Sequence, residues 1–148
     1  MPSSTEIASR KKSKVIFMGN ANVGKTSIIN SFLTQKSMRG QDKIYTNVGN
    51  DYTHVYKVKD SSGLTHELTL SIWDAAGDAA VHNVAHLFLE GAKVAVLCYA
   101  IDDQRSYAQL TDWAEHIKEQ DHMFCVIVGN KEDLSENRSV PKHYSKKL

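Results

Sequence analysis

With 148 residues, 41% of them apolar and 24% charged, the chain has the size and composition of one globular domain with a real core. A formal net charge of +1, with acids and bases mixed along the sequence, excludes an electrostatic case for nucleic acid or an acidic substrate, so any anion must be bound by a local site. No apolar run approaches the roughly 20 residues of a membrane span and the N-terminus is polar rather than signal-like, so the expected location is cytoplasmic.

Residues 1–12 are rich in serine and base without a hydrophobic period and read as a mobile tail, leaving 13–148 as the domain. Pro2 follows Met1, which excludes an N-terminal myristoylation glycine, and Lys147 and Leu148 offer no prenylatable cysteine. No membrane anchor is therefore expected within these residues, and peripheral attachment is expected only if a longer chain is lipidated. Val15 to Met18 is a short apolar strand, followed by a glycine-punctuated turn and then Thr26 to Leu33, whose Ile28, Ile29, Phe32 and Leu33 fit one helix face. Tyr52 to Val58 alternates in strand fashion, Asp60-Ser61-Ser62-Gly63 turns the chain, and Leu64 to Trp73 returns, predicting a β-hairpin.

A helix is predicted around Val84 to Glu90, ending at Gly91, and Val94 to Ile101 is too continuously apolar to have one face in water, so it reads as a central parallel strand. Gln104 to Gln120 has Leu110, Trp113, Ala114 and Ile117 at helical spacing, with Trp113 on the buried face, and Phe124 to Val128 predicts another buried strand. The two cysteines, Cys98 and Cys125, fall in these last two runs and are expected to be core thiols in a reducing compartment. Strands alternating with helices predict an α/β fold, a mostly parallel sheet with one antiparallel edge strand, with ligands beyond the carboxyl ends of the strands.

The turns at those ends carry the chemistry. Gly19-Asn20-Ala21-Asn22-Val23-Gly24-Lys25-Thr26 has the G-x-x-x-x-G-K-[ST] form between a strand and a helix, the arrangement of a phosphate loop. The glycines let successive NH groups turn toward phosphate oxygens and the helix start adds its positive dipole end; the candidate contacts are Asn20, Asn22, Val23, Gly24, Lys25, Thr26 and Ser27. Lys25 supplies a charge between the β- and γ-phosphates, and Thr26 places a hydroxyl on magnesium. Trp73-Asp74-Ala75-Ala76-Gly77 ends the hairpin, where the Asp74 carboxylate reaches the magnesium shell and the Gly77 NH the γ-phosphate. A D-x-x-G segment alone is more often a turn, and it counts here because of its order after the phosphate loop. Gly129-Asn130-Lys131-Glu132-Asp133 has the form N-K-x-D: Asp133 can accept from N1 and the exocyclic amine of guanine, the Lys131 stem can cover the base, and Asn130 can tie this loop to the phosphate loop. His82 and His86 have a metal-ligand spacing but no third ligand, and read as surface residues.

In this order the three motifs resemble the small GTPases, and the details resemble the Rab branch: Trp73 before the metal aspartate, Val48-Gly49-Asn50-Asp51-Tyr52, Leu87-Phe88-Leu89-Glu90-Gly91-Ala92, and Gln104-Arg105-Ser106-Tyr107 continuing to Trp113. The resemblance covers about Lys14 to Leu148 and implies a P-loop NTPase fold of the small G-domain type, a GTP/GDP switch whose loops at about Lys36 to Gly49 and Gly77 to Phe88 respond to the γ-phosphate, and effector and exchange proteins as partners. Family members continue through a further strand, a base-contacting loop and a last helix, so a partial domain is expected. Asp78 stands where the family has its catalytic glutamine; it can accept but not donate while orienting water, so hydrolysis is expected to be slow. The switch threonine that meets magnesium aligns with Asn47, with Thr46 one place earlier as the candidate metal ligand, and Ser37 or Met38 replaces the aromatic beside the base. The expected function is a magnesium-dependent GTP/GDP switch in vesicle traffic with slow hydrolysis; the alternative is a catalytically weak pseudo-GTPase interaction module holding nucleotide as a structural ligand.

Overall fold

The computed structural model describes residues 7–34, 49–77 and 83–146. Its strands are β1 (Ile7–Met18), β2 (Gly49–Lys59), β3 (Thr65–Ala75), β4 (Ala92–Ala100) and β5 (Phe124–Asn130), joined in one sheet of order β2-β3-β1-β4-β5. Among the described strands only the β2–β3 pair is antiparallel, running from Gly49 opposite Ala75 to Lys59 opposite Thr65, so the predicted α/β sheet with one antiparallel edge strand is the fold observed. The helices are α1 (Lys25–Thr34), α2 (Ala85–Leu89), α3 (Gln104–Ala108) and α4 (Leu110–Lys118), with short 3-10 turns at Glu132–Asn137 and Lys142–Lys146.

Alternation along β1 and β4 divides the core between the two faces of the sheet. Ile16, Met18, Ala95, Leu97 and Tyr99 pack with Leu110 and Trp113 on one face. Val96, Cys98 and Ala100 pack with Val23, Val15, Phe17 and Ile28 on the other. The unbroken apolar run of β4 is thus a strand covered on both sides. Burial pushes the Cys98 thiol up to about 12, which keeps it an inert core group. The hairpin turn is built by Asp60, whose Oδ1 accepts from the backbone NH groups of Ser62 at 2.9 Å and Leu64 at 3.0 Å.

Three sequence expectations are corrected. Residues 7–12, assigned to a mobile tail, are the first half of β1 and pair with β3 from Ile7 opposite Thr65 to Lys12 opposite Thr69. A basic, non-periodic segment gains strand structure because the long hairpin supplies a backbone partner, helped by Ser9 against His66 at 2.8 Å and Arg10 against Glu67 at 3.4 Å. The helix predicted over Gln104–Gln120 is broken at Gln109, where α3 ends and α4 begins. Asp103 caps α3, its Oδ1 accepting from the NH groups of Arg105 and Ser106. β5 is not buried: it pairs only with β4 among the described strands, so Phe124 is 75% exposed, Val126 48%, and Cys125 lies at the surface rather than in the core.

Candidate functional site

β1 delivers the chain at Met18 into the loop from Gly19, and the helix that opens at Lys25 receives it. Gly24 adopts a φ of 96°, the left-handed region where glycine alone is unstrained, and a Cβ there would run into the Asn130 side chain. The space is taken because Asn130 Nδ2 donates to the Val23 carbonyl at 2.9 Å. The N-K-x-D loop is thereby fastened to the phosphate loop, as the sequence predicted for Asn130. Asn22 also lies in the left-handed region, at φ 63°, and Val23 is buried against Val96 and Cys98. Ser27 is half-buried in the first turn of α1.

Lys25 is buried, with 5% of its surface accessible, and its ammonium donates to the carbonyls of Gly19 at 2.7 Å and Asn20 at 2.8 Å. An ammonium has three N–H donors, so these contacts aim the group while leaving one donor beyond them. Desolvation pulls its pKa below the usual lysine value, and the nearby Asp74 carboxylate opposes that shift. Asp74, 1% exposed, accepts through Oδ2 from the hydroxyl of Thr26, which is also buried. Gly77 follows closely: a Cβ on it would run into the backbone of Asn20 and Ala21, so the Asp74–Gly77 corner sits directly against the phosphate loop. At the other side Lys131 is left-handed, with φ 68° and ψ 44°, and turns the chain into the 3-10 segment whose first turn holds Asp133 with its surface exposed. Glu132 in that turn pairs with Arg138 at 2.8 Å.

The fold thus brings together Asn20, Asn22, Val23, Gly24, Lys25, Thr26, Ser27, Asp74, Gly77 and Asn130 at the carboxyl end of the sheet, with Lys131 and Asp133 on the loop after β5. Thr46 and Asp78 lie outside the described residues, as do Ser37, Met38, Asn47 and His82. A family model for the Ras family matches residues 14–148. The chain belongs to the Ras family.

Within that family it is similar to Rab proteins. Ras-related protein Rab-9A of Homo sapiens is 30% identical over 131 residues, covering 84% of this chain and 62% of that protein. Ras-related protein Rab-3D of Homo sapiens is 33% identical over 142 residues, covering 91% and 59%. Ras-related protein Rab-17 of Homo sapiens is 33% identical over 131 residues, covering 86% and 58%. The chain spans about three-fifths of the length of these relatives.

The donor set of this Ras-family site suits magnesium: a hydroxyl and a carboxylate, both oxygen, in contact across α1 and β3. Among the described residues no group of three or more His, Cys, Asp or Glu side chains is placed to hold a metal. No described helix is long and apolar enough to cross a membrane. Sequence reasoning missed one part of the site. The Asn20 side chain turns away from the loop, donating to Gln109 Oε1 and accepting from Trp113 Nε1 at 3.4 Å. Trp113 was legible as a buried helix residue, but nothing in its spacing signals a partner so far back in the chain.

Proposed function

We propose that the chain is a Rab-like switch domain that binds GTP and GDP with magnesium and hydrolyses GTP slowly, acting in vesicle traffic through effector and exchange proteins at its switch loops. The observation that carries this is the Asn130 bond to Val23, which joins the guanine-reading loop to the phosphate loop. A phosphate loop alone serves adenine and guanine nucleotides equally; a carboxylate acceptor two residues past Lys131 favours a base that presents two donors.

In this reading the loop NH groups and the Lys25 ammonium hold the phosphates, Thr26 and Asp74 hold magnesium with Thr46 as the candidate switch ligand, and Gly77 offers its NH to the γ-phosphate. Magnesium bound there would neutralise charge on the phosphate oxygens. Asp78, in the place of a glutamine, accepts a hydrogen bond from water but donates none, which supports slow hydrolysis. The same substitution, with Asn47 beside Thr46, favours a second reading as a pseudo-GTPase module that holds nucleotide without switching.

The test is the nucleotide retained through purification, identified chromatographically, with Asp133→Asn as partner variant. GDP or GTP is expected with the unmodified chain. The variant should lose guanine preference and gain for xanthosine triphosphate, whose oxo group meets an amide donor. Adenine nucleotide, or no nucleotide, overturns the proposal. Single-turnover hydrolysis together with nucleotide-dependent protection of the switch loops from proteolysis separates the switch from the pseudo-GTPase.

A further inference from the structure

The side chain of Asn20 lies in the phosphate loop but serves a different part of the molecule. Its amide reaches Gln109, 89 positions away, and Trp113, 93 positions away. The chemistry leaves one arrangement. An indole N–H can only donate, so Asn20 must turn its oxygen to Trp113 and its NH2 to Gln109, and Gln109 must present its oxygen in return. Trp113 is fully buried, and Gln109 is the residue at which α3 and α4 part. The break therefore coincides with the side chain that contacts the loop.

The main chain of the same residue stands at the centre of the site. The Asn20 carbonyl accepts from the Lys25 ammonium, and its backbone is what a Gly77 side chain would strike. Holding the Asn20 amide thus holds the peptide that aims Lys25 and seats the Asp74–Gly77 corner. We infer that Gln109 and Trp113 are positioning residues that set the phosphate loop through Asn20, so that the broken helix α3–α4 governs how long nucleotide is retained. The inference rests on the nucleotide site proposed above and adds a control point outside it, since neither Gln109 nor Trp113 belongs to the three nucleotide motifs.

The experiment compares the unmodified chain with Gln109→Leu, which removes the acceptor at similar size, and Gln109→Glu, which keeps one. Dissociation of fluorescent GDP in magnesium is the main readout, with thermal unfolding as a check on folding. Losing one hydrogen bond that aims a charged group should speed release by about five-fold in Gln109→Leu, with Gln109→Glu within about two-fold of the unmodified chain. Because the contact works partly through Lys25, the Gln109→Leu effect on equilibrium GDP affinity should be clearly smaller in a Lys25→Ala background; a purely structural role would persist there undiminished. If Gln109→Leu fails to fold, Asn20→Ala removes the same contacts from the loop side and carries the same expectation. Unchanged release in Gln109→Leu, or an equal loss with and without Lys25, overturns the inference while leaving the nucleotide site standing. An unmodified chain that binds no guanine nucleotide overturns the site, and the inference with it.

Discussion

Asp60 precedes β3 at the hairpin turn and Asp74 stands near its far end, so one strand separates two aspartates in opposite surroundings. Asp60 is exposed; its Oδ1 accepts from Ser62 and Leu64, and its Oδ2 meets His66 Nε2 at 2.8 Å, with His66 Nδ1 in turn bonded to Ser9. The Ser62 and His66 hydrogen bonds hold its carboxyl well below the usual carboxylate range. Asp74 is buried, bonded to a threonine on another element and close to a buried ammonium. A carboxylate satisfied by its own turn and the adjoining strands shapes the fold. A carboxylate buried beside a hydroxyl and an ammonium from another element costs desolvation that local turn geometry does not require, which supports the proposed role of Asp74 in the nucleotide site.

The contrast breaks most readily at Lys25. Lys25→Ala should weaken GTP binding by about a hundred-fold, the scale of a charge-assisted contact near 3 kcal/mol. Equilibrium titration with fluorescent GTP measures it, and unchanged affinity would remove the phosphate loop from the site. Removing magnesium with a chelator should speed nucleotide release by about ten-fold or more in the unmodified chain and by clearly less in Asp74→Asn, if a carboxylate contact near 1.4 kcal/mol or above links metal to protein. Equal chelator sensitivity in both would return Asp74 to a structural role.

A smaller effect is expected from Asp78→Gln, which on the proposed reading adds a donor for the attacking water and removes one negative charge. Single-turnover hydrolysis should rise by about ten-fold, the value of one orienting contact near 1.4 kcal/mol. A fall in rate with normal GTP binding would mean that Asp78 itself orients water. Asp60→Asn should leave nucleotide affinity unchanged and lower stability at pH values above the unfolded carboxyl range. A carboxyl lowered in the folded state contributes stability that is fully present above the unfolded value, near 3.8, and lost as the pH falls below it. The difference between variant and unmodified chain should therefore shrink in acid unfolding below that pH. A persistent difference would mean that the turn depends on side-chain shape rather than charge.

Sequence alone determined the features whose causes are local. The phosphate loop is read in eight consecutive positions because strand end, glycine turn and helix start follow one another along the chain. β4 is legible because a strand covered on both faces leaves an uninterrupted apolar run. The bond from Asn130 to the phosphate loop was expected from motif order and is present. Tertiary structure decided what depends on distant partners. Residues 7–12 become a strand only because the hairpin that pairs with them lies more than fifty positions later. Phe124 to Val126 look like a core strand in sequence, but their position at the sheet edge leaves them exposed, since apolar character records no neighbour. The break at Gln109 interrupts a spacing that fits one helix, and the side chain at that break meets Asn20 from 89 residues away. Hydrophobic periods report which face a segment turns inward; which polar groups then meet across the core is set by the packing of the elements, and only the folded chain contains it.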